Sequence, residues 1–189
     1  MTIFTDLAPL GVIDFDDRIP VDAGPVDAIF EAVARQLMAE GRIPGGFLQR
    51  EGPAPAGCCA AMDLEDLRTG ALIRISQDLG PSARGCRLDP RGLAEASAAA
   101  QVAIGQGIDL LIINRFGKGE ADGQGLRAAM IAALDAGIPV LTAARPAYMP
   151  ACAAFHGGLA TVLEADAAQI LDWCRGVMRQ PARIAELQS

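Results

Sequence analysis

The sequence has 189 residues, of which 51% are hydrophobic, 4% aromatic and 21% charged, and it reads as one soluble globular domain over 1–189 that needs no disulfide or metal to hold a core. Its formal charge of −7 repels phosphate at long range, so neither nucleic acid nor an anionic membrane is an expected partner, and any anion site must be local. One histidine, one tyrosine and one tryptophan exclude a two-histidine metal site and an aromatic base-stacking platform.

In chain order, residues 10–13 form a short apolar run that ends at Asp14, and a loop containing Pro20, Gly24 and Pro25 follows. Apolar residues at Val26, Ile29, Phe30, Val33, Leu37 and Met38 predict a helix over 26–40, closed by Gly41. Residues 45–49 are a strand candidate, and 58–64 with 71–76 flank the turn-like EDLRTG, which predicts an antiparallel hairpin. Asp89 is placed to cap a helix with Pro90 at its first position, running through alanines to about residue 104. Strands at 109–113, 139–142 and 159–163 then alternate with helices at 121–136, 147–155 and 166–179. Continuous apolar strands such as LLII between helices indicate a parallel sheet covered on both faces. The expected fold is therefore α/β, a three-layer sandwich with a mostly parallel sheet and an inserted antiparallel hairpin.

The five cysteines are odd in number, lack metal-ligand spacing and read as reduced thiols. No basic region precedes the apolar residues of the N-terminus, and no stretch approaches the roughly 18 apolar residues of a membrane span. A cytoplasmic protein without membrane insertion is expected.

Ligands of open parallel sheets lie beyond the carboxyl ends of the strands, which directs attention to residues 14–18, 114–120 and 142–145. The segment INRFGKGEADGQG follows a buried strand with an amide, two cations and four glycines, and it contains Lys118, the only lysine. Backbone amides at Gly117, Gly119, Gly123 and Gly125 could approach a ligand closely there. A second stretch, RISQDLGPSARGCR, collects Arg74, Ser76, Ser82, Arg84 and Arg87, whose guanidinium forks and hydroxyls suit a tetrahedral oxyanion. Between Arg74 and Arg127 there are seven basic and six acidic side chains, so the local field is less hostile to anions than the chain as a whole. The bland account is a solvated loop with arginines paired to Asp78 or Asp89. His156 reads as a helix-terminal residue, and Asp63, Glu65 and Asp66 read as solvated turn residues, not as an acid–base cluster.

The strings LIINRFGKGEADGQGLR, ISQDLGPSARGCRLDP, GIPVLTA and FHGG resemble a family of small bacterial proteins often encoded beside molybdate-transport genes, over roughly residues 10–175. The element order is also distantly similar to the thermophilic-type nucleoside-triphosphatase family of the P-loop class, with GGFLQR, DLEDLRTG and LLIINRFGKGE in the matching places. That likeness implies a P-loop NTPase-like fold. A working P-loop enzyme needs GxxxxGK[ST] between its first strand and helix. This chain has DFDDRIPVDAGPVDAIF there, and Asn114 and Arg115 stand where a metal-holding carboxylate pair would be. These departures lead to the expectation of a degenerate P-loop-like fold with no cofactor and no hydrolysis, and the donor chemistry of the residues themselves to that of a small oxyanion bound through Arg74, Ser76, Ser82, Arg84, Arg87, Asn114, Arg115 and Lys118. Molybdate or tungstate is suggested by the gene neighbourhood alone, for storage or delivery, and the alanine-rich helices offer surfaces for a homo-oligomer. The rival expectation is a nucleotide-binding protein or Mg²⁺-dependent phosphohydrolase in which Glu120 and Asp122 hold the metal.

Overall fold

The computed structural model describes residues 7–16, 26–52, 61–77 and 88–178. Its elements are β1 (Leu10–Asp14), α1 (Val26–Ala39), β2 (Pro44–Glu51), β3 (Met62–Asp66), β4 (Leu72–Arg74), α2 (Pro90–Gly105), β5 (Leu110–Phe116), α3 (Lys118–Ala121), α4 (Arg127–Asp135), β6 (Val140–Ala144), α5 (Met149–His156), β7 (Ala160–Leu163) and α6 (Ala167–Met178). The strands form one seven-stranded sheet in the order β4-β3-β2-β5-β6-β1-β7. Strands β2, β5, β6, β1 and β7 run parallel, while β3 and β4 add an antiparallel hairpin at one edge. The α/β sandwich and its inserted hairpin are both present.

Strand alternation divides the core in two. Ile13, Ile112 and Leu141 face α1 and α6, where Ile29, Phe30, Val33, Leu37, Ile170 and Trp173 fill the space. Val12, Leu111, Ile113 and Val140 face the other way, toward α2 and α4. That second face is built from small residues. Helix α2 buries Gly92, Ala96, Ala100 and Ala103, and a Cβ on Gly92 would come within 1.9 Å of the Arg74 carbonyl oxygen. The start of α2 is therefore pressed against the backbone of β4. Asp89 caps it as expected, its carboxylate accepting from the Arg91 amide at 2.9 Å with Pro90 at the first position.

The helix expected over 121–136 is two helices instead. Gly123 and Gly125 adopt φ of +81° and +61°, which breaks the chain between α3 and α4. The buried Glu120 carboxylate sets this break, since Oε2 accepts from the Gly117 amide at 3.0 Å and Oε1 from the Leu126 amide at 2.9 Å. The strand expected over 109–113 also runs on to Phe116. Among the described residues no helix is long and apolar enough to cross a membrane. Cys152 and Cys174 are buried thiols whose pKa burial raises to about 11 and about 12, so they act as packing groups and not as nucleophiles at neutral pH. Cys58, Cys59 and Cys86 lie outside the described residues.

Candidate functional site

The two polar residues that follow the apolar run of β5 would point to opposite faces of a regular strand. Here they do not. The register against β6 passes from Ile113 opposite Thr142 to Phe116 opposite Ala144, so β5 uses three steps where β6 uses two, a one-residue bulge at Asn114 and Arg115. Both side chains consequently reach Asp27 in the first turn of α1. Asn114 Nδ2 donates to Asp27 Oδ1 at 2.8 Å, and the Arg115 guanidinium donates to Asp27 Oδ2 at 2.9 Å. Asn114 is 2% exposed, and its Oδ1, like Nε of Arg115, is buried without a hydrogen-bond partner. Unsatisfied buried polar atoms carry a cost of about 1–3 kcal/mol each, so this cluster is held in place at the expense of stability.

Beside the cluster lies a cavity of about 460 Å³. Its polar lining comes from Gln49, Asn114, Arg115, Lys118, Glu120 and Arg145, together with Tyr148. Arg115 and Arg145 approach one ring, their guanidinium carbons 5.6 Å and 5.9 Å from the centroid of Phe15, a cation–π arrangement that gathers two cations at one end of the space. The cavity's only carboxylate among the described lining residues is Glu120, and both its oxygens are engaged by backbone amides. Asp122 is likewise engaged, accepting from Lys118 Nζ at 2.6 Å. Neither acid is therefore arranged to hold Mg²⁺ together with the other. Among the described residues, no group of three or more His, Cys, Asp and Glu side chains could hold a metal ion.

Of the sequence-derived site residues, the structure brings Asn114, Arg115 and Lys118 to the cavity. Arg74, on the edge strand β4, is ion-paired with Asp63 and stands outside the lining. Ser76 is buried, and its hydroxyl oxygen accepts from the Met62 amide at 2.8 Å. Ser82, Arg84 and Arg87 lie outside the described residues. Ser76 and Leu88 form an antiparallel bridge, and Ile75 and Leu88 line the cavity. The glycine amides expected to face a ligand are partly committed: Gly117 donates to Glu120 Oε2, and Gly123 donates to the Glu120 carbonyl at 3.2 Å.

Arg145 joins the site although it was not among the residues singled out for anion binding. Its signal was its place just after the apolar run of β6. The hairpin acids also differ from expectation. Glu65 pairs with Arg50 at 2.6 Å, Asp63 pairs with Arg74, and Asp66 accepts from the amides of Arg68 and Thr69, so they are strand and turn anchors and not solvated residues. His156 ends α5, as expected, and its Nδ1 accepts from the Gly158 amide at 3.1 Å.

Comparison with known proteins agrees with this architecture. A family model described as a protein of unknown function, DUF2478, matches residues 19–173, and the chain belongs to that family. Over 161 residues, or 85% of the chain, it is 40% identical to the molybdenum import ATP-binding protein ModC 2 of Bradyrhizobium diazoefficiens, of which it spans 18% of the length. The solution structure of a human cancer-related nucleoside triphosphatase superposes with a TM-score of 0.54 at 16% identity, covering 82% of this chain and 86% of that one. The fold is thus similar to that of a P-loop nucleoside triphosphatase, while the sequence lacks the phosphate-cradling motif.

Proposed function

We propose that this DUF2478 protein binds an oxyanion at the carboxyl edge of its sheet and holds it without hydrolysing nucleotide. The observation that carries the reading is the bulge that turns Asn114 and Arg115 together onto Asp27 beside the cavity. In a P-loop enzyme, a hydroxyl near the start of the first helix and an acid at the end of a strand share Mg²⁺. Here the polarity is reversed, with the acid on the helix and an amide and a cation on the strand. A guanidinium already occupies the space between them, and the residues do not fit a Mg²⁺–triphosphate complex.

What the arrangement supports is electrostatic capture. Arg115 gives Asp27 one edge of its fork and retains further donors, while Arg145 and Lys118 add positive charge around the same space. The resemblance to a relative named for molybdenum import makes molybdate and tungstate the first oxyanions to test, and cytoplasmic storage or delivery the role that binding alone would serve. Thermal unfolding with molybdate, tungstate, sulfate, phosphate and Mg-ATP provides the test. A ligand at 100 times its Kd adds about 2.7 kcal/mol, which for a chain of this size raises Tm by about 5–10 °C. The expected result is a rise with oxyanions in the presence of EDTA that Arg115→Ala abolishes. A rise confined to Mg-ATP, accompanied by phosphate release, would overturn the reading.

A further inference from the structure

We infer that the site prefers an oxyanion carried on a flat, apolar heteroaromatic body, of the heteroaryl phosphate class, over a bare oxyanion. The inference rests on the oxyanion reading above and adds what the rest of the cavity is for. A tetrahedral oxyanion would occupy a small part of 460 Å³, a volume within the range that accommodates small organic ligands. Across the sheet edge from the guanidinium pair, the hairpin and α2 contribute Met62, Leu64, Ile75 and Leu93 to the walls. These side chains gain nothing from a bare oxyanion, whose charge is penalised next to apolar surface, whereas a planar ring would bury against them.

The space is two-sided. Arg115 and Arg145 gather around Phe15 at the ends of β5 and β6, whereas the apolar walls come from the hairpin and α2. A ligand matching both sides is amphiphilic, with its anion toward the guanidinium pair and its ring toward Leu64 and Leu93. Gln49 supplies a further constraint. Its half-buried carboxamide lines the cavity and makes no side-chain hydrogen bond with the described residues, so it offers a donor and an acceptor to a heteroatom edge. A hydrocarbon ring seated against that amide would displace its water without replacing the hydrogen bonds, which favours a heterocycle.

Calorimetric titration of the full chain with inorganic phosphate, molybdate, 1-naphthol and 1-naphthyl phosphate tests this. Quinolin-8-yl phosphate extends the series to a heterocycle of the same size. Burial of one ring predicts that 1-naphthyl phosphate binds about 30-fold or more tightly than inorganic phosphate, and that quinolin-8-yl phosphate exceeds it. Leu93→Trp, which fills the apolar side, should bring the affinities for naphthyl and inorganic phosphates within about threefold of each other. A measurement free of any variant is displacement of bound 1-naphthyl phosphate, followed by its fluorescence, on addition of molybdate. Equal affinity for phosphate with and without the ring would overturn the inference and leave the oxyanion reading standing. Binding of 1-naphthol as tight as that of its phosphate, or no displacement by molybdate, would overturn the two-sided site. Absence of binding by every anion would overturn the oxyanion reading itself.

Discussion

The two faces of the sheet are packed by opposite means. Toward α1 and α6 the core is filled with large side chains, and Trp173 lies so close to β1 that a Cβ on Gly11 would come within 2.8–2.9 Å of three of its ring atoms. Toward α2 and α4 the helices present mainly alanine and glycine, with Met130 the large exception, and the start of α2 approaches the sheet by backbone proximity. Large side chains dominate the first face. Small ones close the second only where the helices stay near the strands, and beyond that point, between the start of α2 and the ends of β2 and β5, the cavity opens. The cavity's hairpin and α2 walls thus lie on the side where the helices contribute the smallest residues, whereas its charged cluster reaches over to α1, and substitutions on the two faces should differ in kind.

The largest effect is expected on the filled face. Phe30→Ala removes a fully buried ring and should cost about 3–5 kcal/mol, read from urea unfolding. A cost near 1 kcal/mol would mean that the face collapses easily and would erase the contrast. Next comes Asp27→Asn at the boundary between the two faces, where loss of the carboxylate leaves the Arg115 guanidinium without its ion pair. Stability should fall by about 1–3 kcal/mol while oxyanion affinity rises, because the competing internal anion is gone. A parallel fall in both would show that Asp27 only supports the fold.

Leu93→Ala, on the wall of an existing cavity, should cost about 1 kcal/mol, since little new void is created. Matching the cost of Phe30→Ala would contradict a pre-formed space. The smallest effect belongs to the far end of α1, where Arg175 donates to Glu40 on the surface. Chiefly through that hydrogen bond, and then through one from Gln36, the Glu40 carboxyl is held at about 2, below its ordinary 4.5. A folded-state value below the unfolded one stabilises above about pH 4.5, and the contribution is lost as pH falls toward 2. Glu40→Gln should therefore lower Tm by no more than about 2 °C at pH 7, with the difference shrinking as pH falls below 4.5 and vanishing only below about 2.

Much of the fold was legible because its signals are local. The alternation of apolar strands with helices, the Asp89–Pro90 helix start and the EDLRTG turn each depend on a few neighbouring residues. The break between α3 and α4 was harder to see, since it requires Glu120 to turn inward and engage two backbone amides, which an acid in a glycine-rich loop does not announce. The site was legible in part. Asn114, Arg115 and Lys118 stood out because polar residues directly after LLII mark the sheet's carboxyl edge. The partner of the first two was not, because Asp27 reads as an ordinary acid in the first turn of a helix and is brought to them only by tertiary structure. The bulge is equally silent, since neither of its residues is a glycine that would flag it. Arg74 shows the converse. Its residue type and neighbourhood suggest anion binding, yet a cross-strand register places it opposite Asp63.

The central claim is that Arg115 and its neighbours capture an oxyanion without a metal. Isothermal titration of molybdate into the wild-type chain and Arg115→Ala, both in EDTA, tests it most directly. Saturable binding to the wild type and at least tenfold weaker binding to the variant are expected, with both proteins folded by circular dichroism. Equal affinity in the two proteins, or binding that appears only when Mg²⁺ and nucleotide are supplied, would contradict it.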